Sequence, residues 1–280
     1  MNKFTPNQLI MDLLPVHKYY LLNGELYNIK HFISGENEGG IYEVLRVVNG
    51  NPLFLEDHLK RFFNSAKLAG KNIGYSESQI RDFLLNLIEK NKATVGNILI
   101  SGKLNLEAFF IAHVYPTEKM YTEGVVCGIL KAERDNPNAK VLQTGLRKKA
   151  DIIISEKGFF EVILVDHLGK ITEGSRSNIF FVSENKIVTS PANRVLVGIT
   201  RQKTIQMAAG LGIKVEEREV NFSELHSFDA AFITGTSPKI LPISKIDAFK
   251  FNPQNQIVGQ LMKKYDEMID AYIKNPVEHF

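Results

Sequence analysis

Short apolar runs in this chain come in pairs around Asn-Gly turns. The stretch "YYLLNGELYN" flanks Asn23-Gly24, and "GGIYEVLRVVNGNPLFL" predicts a strand over 41–48 that turns at 49–52. Asn-Gly between apolar runs is a strong signal for an antiparallel hairpin. Helical spacing appears separately, in "EDHLKRFFNSAKLAG" and in "SESQIRDFLLNLIEKNKA", where Ser76 begins a capping pattern. Strands and helices in separate groups predict the α+β class.

The length of 280 residues is enough for two domains. The polar stretch 117–123 reads as an interdomain linker, which divides the chain into an N-terminal α+β domain, 1–116, and a C-terminal domain, 124–280. The elements predicted after the linker are strands at 124–131, on both sides of Glu173, at 186–189, 214–220 and 229–234, and helices at about 146–157, from Gly198 to 210 or 212, and at about 255–273.

Charge and composition narrow the class of partner. The net charge is only +3, and no basic stripe is interleaved with aromatic residues, so we expect no nucleic-acid partner. No run reaches the roughly 18 apolar residues of a membrane helix, and the N-terminus is too broken for a signal peptide. We therefore expect a cytoplasmic protein without a membrane partner. The single Cys127 excludes an intrachain disulfide and a cysteine-based zinc site, and no metal is expected.

One carboxylate lies in an unexpected place. In "DHLGKITEGSRSNIFFV", residues 166–182, Glu173 stands in a polar crossing at the mouth of an apolar strand, beside small residues. A carboxylate between apolar strands is costly to ionise unless a positive group meets it, and a protonated ring nitrogen would serve. The alternative is a solvated Glu at a strand edge, and Glu173 taken alone favours that alternative.

Two loops have the character of anion-binding sites. In "LVGITRQKT", Gly198 precedes a helix, so that Ile199 and Thr200 offer free N–H groups at the positive end of the helix dipole. In "FITGTSPKILPI", an apolar strand opens into Thr236 and Ser237, and such strand ends often hold anions through N–H groups. An ordinary helix start and an ordinary tight turn explain each loop at least as well.

A cation and a lysine complete a possible set. Arg61 lies among apolar residues, where an Arg usually has an anionic partner; the alternative is a surface Arg whose stem covers Phe62. The stretch "NPNAKVLQTGLRKKADIII" offers Lys140 and, in a polar helical start, Lys148 and Lys149. Two anion-holding loops with an Arg, a carboxylate for a ring nitrogen and a lysine for an aldehyde together describe pyridoxal 5'-phosphate (PLP).

Several motifs together resemble the fold-type IV PLP enzymes, which include D-amino-acid aminotransferase, branched-chain aminotransferase and 4-amino-4-deoxychorismate lyase. The resemblance is carried, in the family's order, by "IYEVLRVVNGNPLFLEDHLKRFFNSAKLAG", "EKGFFEVILVDHLGKITEGSRSNIFFV", "VLVGITR" and "FITGTSPKILPI". It implies a two-domain α+β fold with a small N-terminal α+β domain and a larger, barrel-like C-terminal domain. It also implies a cofactor between the domains and a homodimer.

The resemblance implies a role for each candidate residue. Lys140 forms the internal aldimine, at the family's usual interval before "EKGFFEVIL". Glu173 pairs with the pyridine nitrogen, and Arg61 lies near the phosphate. The other implied contacts are Ile199 and Thr200 at the phosphate-binding helix start, Thr236 and Ser237 in the second phosphate loop, and Tyr42 and Arg46 on a strand that lines the substrate pocket.

The family's substrate signals are incomplete here. Some relatives carry a Tyr shortly after the aldimine lysine, whereas residues 142–145 of this chain read "LQTG". Some relatives also bind the substrate carboxylate with an Arg-Gly segment. This chain has "SGKLNLEAFF" there, without an Arg, and Lys103 is a possible substitute for it. The expected activity is transfer of an amino group from an amino acid to a 2-oxo acid. One alternative is a lyase that releases pyruvate and p-aminobenzoate from 4-amino-4-deoxychorismate through the same lysine. A non-catalytic member is a third, which the intact Lys140 and Glu173 argue against.

Overall fold

The computed structural model describes residues 13–33, 39–142 and 144–274, and these form two compact units. One comprises residues 13–114, 139–142 and 268–274, and the other comprises Tyr115–Asn138 and Thr144–Glu267. We name them the six-stranded unit and the ten-stranded unit after their sheets. Residues 139–142 and 268–274 thus group with the N-terminal part of the chain. The domain boundaries drawn from the sequence stay a prediction.

The six-stranded unit is one antiparallel sheet with two helices. The strand order is β2-β1-β6-β5-β3-β4. Its elements are β1 Tyr19–Leu22, β2 Glu25–Asn28, β3 Ile41–Val48, β4 Asn51–Pro52, α1 Leu55–Leu68, α2 Glu77–Asn91, β5 Val95–Gly102 and β6 Leu106–Ile111.

Local signals explain the first hairpin and the start of α2. Asn23 and Gly24 both take left-handed backbone angles, with φ of 51° and 90°, as a tight two-residue hairpin turn requires. At α2, the Ser76 hydroxyl accepts a hydrogen bond from the Gln79 N–H, while the Gln79 side chain accepts one from the Ser76 N–H. The predicted hairpin, the strand over 41–48 and the capping pattern are confirmed.

The two faces of the six-stranded sheet differ in what covers them. Alternate residues of β3, Ile41, Leu45 and Val47, pack with α1 and α2 in the larger core of this unit. Tyr42 belongs to a second apolar cluster on the opposite face, together with Leu99 and other residues of β1, β5 and β6. Strand side chains alternate between faces, so this division follows from the β3 sequence.

The ten-stranded unit is a mixed sheet with helices. In its described residues the strand order is β12-β11-β10-β14-β15-β7-β8-β9-β13, with β16 paired to β15. The β7–β8, β7–β15 and β11–β12 pairs are parallel. Its elements are α3 Glu118–Glu123, β7 Val125–Lys131, α4 Thr144–Lys157, β8 Glu161–Val165, β9 Lys170–Gly174, β10 Asn178–Ser183, β11 Lys186–Thr189, α5 Ile199–Gly210, β12 Lys214–Glu217, β13 Val220–Asn221, β14 Ala230–Gly235, β15 Lys239–Ile246, β16 Phe249–Lys250 and α6 Gln256–Lys274, whose last residues belong to the other unit.

The core of the ten-stranded unit lies on its central strands. Phe180 of β10 and Phe232 of β14 are cross-strand neighbours whose rings stack with centroids 5.0 Å apart. Cys127 is fully buried in the main core cluster, as its apolar surroundings in the sequence indicate. The mixture of largely antiparallel sheets with helices in both units confirms the predicted α+β class. None of the helices in the described ranges has the length and apolar content needed to cross a bilayer.

Candidate active site

Glu173 is a buried carboxylate with a guanidinium partner. It lies inside β9 rather than in a crossing between strands, and it is 3% exposed. Its Oε1 accepts a hydrogen bond from Arg134 Nε at 2.9 Å, and its Oε2 accepts one from the Leu196 N–H at 3.3 Å. Arg134 also donates to the Ser175 carbonyl oxygen at 2.6 Å. The positive group that a buried carboxylate needs is therefore present within the same unit.

The turn after Glu173 is built around a second buried acid, Glu161. One oxygen of Glu161 accepts from the Ser175 hydroxyl at 2.6 Å, and the other accepts from the Ser177 hydroxyl at 2.9 Å. A Cβ at Gly174 would lie 2.1 Å from Ser177 Oγ, so only Gly allows this close approach. This network fixes the backbone on which Glu173 stands.

Ile199 and Thr200 are the first two residues of α5, as predicted, and each is 5% exposed. Within the described residues, the helix start has no side-chain cap at Gly198 and no acidic residue in its first turn. The N–H groups of the first turn and the helix dipole are therefore suited to an anion. The Thr200 hydroxyl is 3.3 Å from the Tyr265 hydroxyl of α6, and both groups are buried.

Asn178 links the predicted pieces of this unit. Its Nδ2 donates to the Leu196 carbonyl oxygen at 2.8 Å, and Leu196 in turn donates its N–H to Glu173. Asn178 is also the cross-strand partner of Thr234, two residues before Thr236. The structure therefore brings Glu173, the α5 start and the end of β14 together.

The β14–β15 hairpin carries a hydroxyl without a partner. Thr236 and Ser237 lie in this hairpin and are partly exposed. Thr234 is 1% exposed, and its Oγ1 has no hydrogen-bond partner among the described residues. A buried hydroxyl normally has a partner, so an orphaned one beside two anion-loop residues is consistent with a ligand at this place.

Arg61 is held by a buried acid that the sequence did not single out. Its Nε and Nη2 donate to the two oxygens of Glu43 on β3, each at 2.7 Å. His58, three residues earlier on α1, has its Nδ1 2.8 Å from Glu43 Oε2. We name Glu43, His58 and Arg61 the Glu43 cluster. Glu43 is 0% exposed and His58 is 4% exposed. Both oxygens of Glu43 therefore serve to orient α1 side chains.

The charges of the Glu43 cluster follow from its contacts. Burial by itself raises the pKa of Glu43, but the Arg61 charge and the hydrogen bonds from Arg61 and His58 outweigh burial and hold that pKa well below its ordinary value. Burial lowers the pKa of His58, and the charges of Arg61 and Lys140 lower it further against the opposing effect of Glu43. At neutral pH the cluster is an Arg61–Glu43 ion pair with a neutral His58, which donates its Nδ1–H.

Lys140 is fixed through its backbone. Its N–H donates to the Ser65 hydroxyl of α1 at 3.1 Å, and its carbonyl oxygen accepts from the Tyr42 N–H at 3.0 Å. Its Nζ lies 4.6 Å from the centroid of the Tyr42 ring. The alternative lysines, Lys148 and Lys149, are exposed on α4. The structure therefore brings Tyr42 to Lys140.

Arg46 lies farther along the same face of β3. It is four residues from Tyr42, which at about 3.3 Å per residue separates their Cα atoms by about 13 Å. Its cross-strand partner is Asn97. Arg46 shares the sheet face of Tyr42 without sharing its position beside Lys140.

The residues that the sequence reasoning missed had weak signals. Glu43 alternates with Ile41 and Leu45 along β3 and therefore lies on the same buried face. An acidic residue at such a position could have been recognised from the sequence as one that needs a positive partner. His58 precedes Arg61 by three residues, which places the two on one helix face. Arg134 gave no such sign, because its contact with Glu173 joins residues 39 positions apart.

The chain matches the sequence profile of the amino-transferase class IV family over residues 40–246. It belongs to this family. A D-alanine aminotransferase of Bacillus licheniformis is 29% identical over 228 residues, 74% of this chain and 79% of the relative. A probable branched-chain-amino-acid aminotransferase of Rickettsia bellii is 29% identical over 281 residues, 90% of this chain and 96% of the relative. The branched-chain amino acid aminotransferase of Thermobaculum terrenum, solved in its PLP form, superposes with a TM-score of 0.78 at 22% identity, covering 93% of this chain and 95% of that one.

The predicted family, fold and activity are thus confirmed. The chain is a class IV aminotransferase, a PLP-dependent enzyme of the two-domain α+β fold that transfers an amino group from an amino acid to a 2-oxo acid. The lyase alternative is not favoured, because these relatives are named as aminotransferases.

The residues present fit PLP. The ten-stranded unit offers an uncapped helix start, an orphaned buried hydroxyl at Thr234 and a buried carboxylate at Glu173, which are the donors and acceptor that a phosphate and a protonated ring nitrogen require. The six-stranded unit offers the fixed Lys140 and the oriented guanidinium of Arg61.

Proposed function

We propose that Lys140 is the catalytic lysine of this aminotransferase. The residues proposed to hold the cofactor with it are Arg61, Glu173, Ile199, Thr200, Thr236 and Ser237, and those proposed to line the substrate pocket are Tyr42 and Arg46. The observation that carries the proposal is the fixation of Lys140, whose N–H and carbonyl oxygen are both hydrogen-bonded while its amine lies over the Tyr42 ring. Neither Lys148 nor Lys149 is buried.

The proposed roles follow from the chemistry of each side chain. Bound PLP supplies an aldehyde for the amino group and a ring that withdraws electrons from the substrate Cα. The Nζ of Lys140 accepts the Cα proton as a general base and returns a proton as a general acid. The Glu173 carboxylate accepts hydrogen bonds from Arg134 and Leu196, and its negative charge would stabilise a protonated ring nitrogen.

The remaining proposed residues hold the phosphate still. The N–H groups of Ile199 and Thr200 and the hydroxyls of Thr236 and Ser237 are hydrogen-bond donors for phosphate oxygens. Arg61, oriented by Glu43, adds a positive charge. Because the cofactor is then fixed, the proton transfer at Lys140 takes place over a short and constant distance.

Substitution of Lys140 tests the assignment. Lys140→Ala should lower the turnover number by about 10²- to 10⁴-fold or more, because a general acid–base group usually contributes a factor of that size. The matched control Lys148→Ala, on the exposed side of α4, should keep wild-type turnover. Glu173→Ala should retain cofactor, measured by its absorbance after gel filtration, yet lose proton abstraction from a Cα-deuterated donor. Full activity in Lys140→Ala would transfer the role to Lys148 or Lys149.

The proposal extends to assembly and location. We propose a homodimer in the cytoplasm, without nucleic-acid or membrane partners, in line with the resemblance and the charge of +3. Light scattering after gel filtration measures the mass of the particle, which for a homodimer is twice that of the 31.6 kDa chain.

The proposed division into 1–116, a linker at 117–123 and 124–280 predicts proteolytic cleavage in the linker stretch. Since relatives are named for D-alanine and branched-chain amino acids, a donor panel should contain these in both L and D forms.

A further inference from the structure

One short segment of the ten-stranded unit joins two of the proposed anchors for the cofactor. Residues 196–198 lead directly into the start of α5 at Ile199, where the phosphate is proposed to bind. At the other end of this segment, the Leu196 N–H donates to Oε2 of Glu173, the proposed partner of the ring nitrogen, at 3.3 Å. We name residues 196–198 the connecting segment. Its position therefore sets the distance between the two anchors.

Asn178, the first residue of β10, holds the connecting segment at two points. Its Nδ2 donates to the Leu196 carbonyl oxygen at 2.8 Å. Its side-chain oxygen lies so close to Gly198 that a Cβ on Gly198 would overlap it. Gly198 has φ of −65° and ψ of 142°, backbone angles that any residue adopts. The close approach of Asn178 is therefore what requires glycine at this position, because the backbone conformation does not.

The Asn178 side chain is buried on the ligand's side of the sheet. Asn178 is 5% exposed and lies opposite Thr234 of β14 in antiparallel register. Directly opposed residues share a sheet face, so Asn178 shares its face with the Thr234 hydroxyl, which has no hydrogen-bond partner among the described residues. The turn before Asn178 is held by Glu161, which accepts from the Ser175 and Ser177 hydroxyls. Asn178 therefore stands on a fixed backbone, as a residue that supports a binding site requires.

The peptide groups of Leu196 are restrained on both sides of its Cα. Glu173 accepts the N–H, and Asn178 donates to the carbonyl oxygen. The pyridine ring of PLP is rigid, so the nitrogen and the carbon that carries the phosphate arm keep a constant separation. Such a ligand binds both anchors at full strength only when the protein holds them at the matching distance before binding.

We propose that Asn178 is a positioning residue for PLP, which holds the connecting segment so that Glu173 and the start of α5 stay at the distance that the cofactor spans. This inference rests on the proposed roles of Glu173 and of the α5 start. Asn178 acts through Leu196 and Gly198 and needs no contact with the reacting atoms. The competing explanation is that Asn178 only stabilises the fold.

Asn178→Ala tests the inference in a titration of the full-length apoenzyme. PLP should bind about 5- to 10-fold more weakly, which is the usual effect of one lost hydrogen bond. Pyridoxal, which lacks the phosphate, and inorganic phosphate each use a single anchor. Each of them should therefore bind within about twofold of its wild-type affinity. An equal loss for PLP and for either fragment, or an unchanged affinity for PLP, would overturn the inference.

Hydrogen exchange distinguishes positioning from general stability. Ile187→Val, a fully buried change in β11, should lower the melting temperature by about 2–4 °C, as Asn178→Ala should. Exchange of the Leu196 amide in the apoenzyme, measured by mass spectrometry, should be about 5- to 10-fold faster in Asn178→Ala and unchanged in Ile187→Val, since only the first releases the connecting segment. The matched control Asn185→Ala, exposed in the turn after β10, should change neither binding nor exchange. Equal exchange in all these proteins would mean a purely structural role and would overturn the inference.

The contact between Asn178 and Gly198 predicts how two substitutions combine. Gly198→Ala should weaken PLP binding at least 10-fold, because the added methyl group displaces the Asn178 side chain from Leu196. In the Asn178→Ala background the methyl group has room, so Gly198→Ala should add no more than about twofold. Losses that simply multiply would contradict the contact. Should Asn178→Ala fail to fold, as its melting curve would show, Gly198→Ala alone decides, and wild-type PLP affinity in that variant would overturn the inference.

The outcomes separate this inference from the proposed function. A Glu173→Ala protein that abstracts the Cα proton at the wild-type rate would overturn the proposed role of Glu173 and, with it, the role of Asn178. Lost proton abstraction in Glu173→Ala, together with unchanged PLP affinity in Asn178→Ala, would leave the proposed function in place and remove only the positioning role.

Discussion

The Glu43 cluster allows a quantitative prediction about stability. Glu43→Gln removes the charge that pairs with Arg61, whose side chain is 11% exposed, and leaves one carbonyl oxygen where two carboxylate oxygens now accept hydrogen bonds. Breaking a buried pair by removal of one partner costs about 3–5 kcal/mol, because the other charge stays buried without compensation. Gln keeps the shape and one acceptor, so we expect the lower end, about 3 kcal/mol.

Urea unfolding of the two proteins measures this loss. The midpoint of the transition in the six-stranded unit should fall for Glu43→Gln, and its slope with denaturant should stay the same, since the surface exposed on unfolding is unchanged. Equilibrium dialysis should show weaker PLP binding, because Arg61 loses the acid that orients it. The control Glu25→Gln removes an exposed acid and should stay within about 0.5 kcal/mol of wild type. A Glu43→Gln protein as stable as this control would refute the reasoning.

Three further predictions concern pH, packing and reactivity. The pKa of His58 is lower in the folded protein than in the unfolded chain, so the unfolded chain binds a proton at this residue first as pH falls. The contribution of His58 to the free energy of unfolding is therefore full above its ordinary pKa of 6.5 and is lost as pH falls below that value. His58→Asn, which keeps a donor to Glu43, should flatten that part of the curve of stability against pH. Gly174→Ala should cost about 2–3 kcal/mol through the clash with Ser177 Oγ, and adding Ser177→Gly should restore part of the loss in thermal unfolding. Burial and the charge of Glu161 raise the pKa of Cys127, so native protein should resist iodoacetamide while urea-unfolded protein reacts, as mass spectrometry would show.

The elements that the sequence predicted well are those whose signals are local. The Asn-Gly turn at 23–24 and the Ser76 cap each use a few adjacent residues, and the structure has both. The polar stretch 117–123 was predicted to be an interdomain linker, yet Glu118–Glu123 form a short helix, whose side-chain cap is a single hydrogen bond of 3.4 Å from the Met120 N–H to the Thr117 hydroxyl. A helix of six residues is too short to show a periodic pattern of apolar residues from which it could be predicted.

The partners of the candidate residues were out of reach of the sequence for a physical reason. Glu173 was selected for its buried position, but its ion pair with Arg134 depends on how β9 and the segment before Lys140 pack. The same holds for Glu43 and Arg61, which are 18 residues apart and meet only when α1 packs on β3. The types of group needed for the chemistry were predictable, whereas the side chains that hold those groups in place were not.

The attachment site of PLP tests the central claim most directly. Borohydride reduction of the PLP-loaded enzyme fixes the cofactor on the lysine that bears it, and tryptic peptide mapping by mass spectrometry then locates the added mass. We predict that the modified residue is Lys140, with Lys148 and Lys149 unmodified. A phosphopyridoxyl group on either of those exposed lysines, or on no single lysine, would contradict the account.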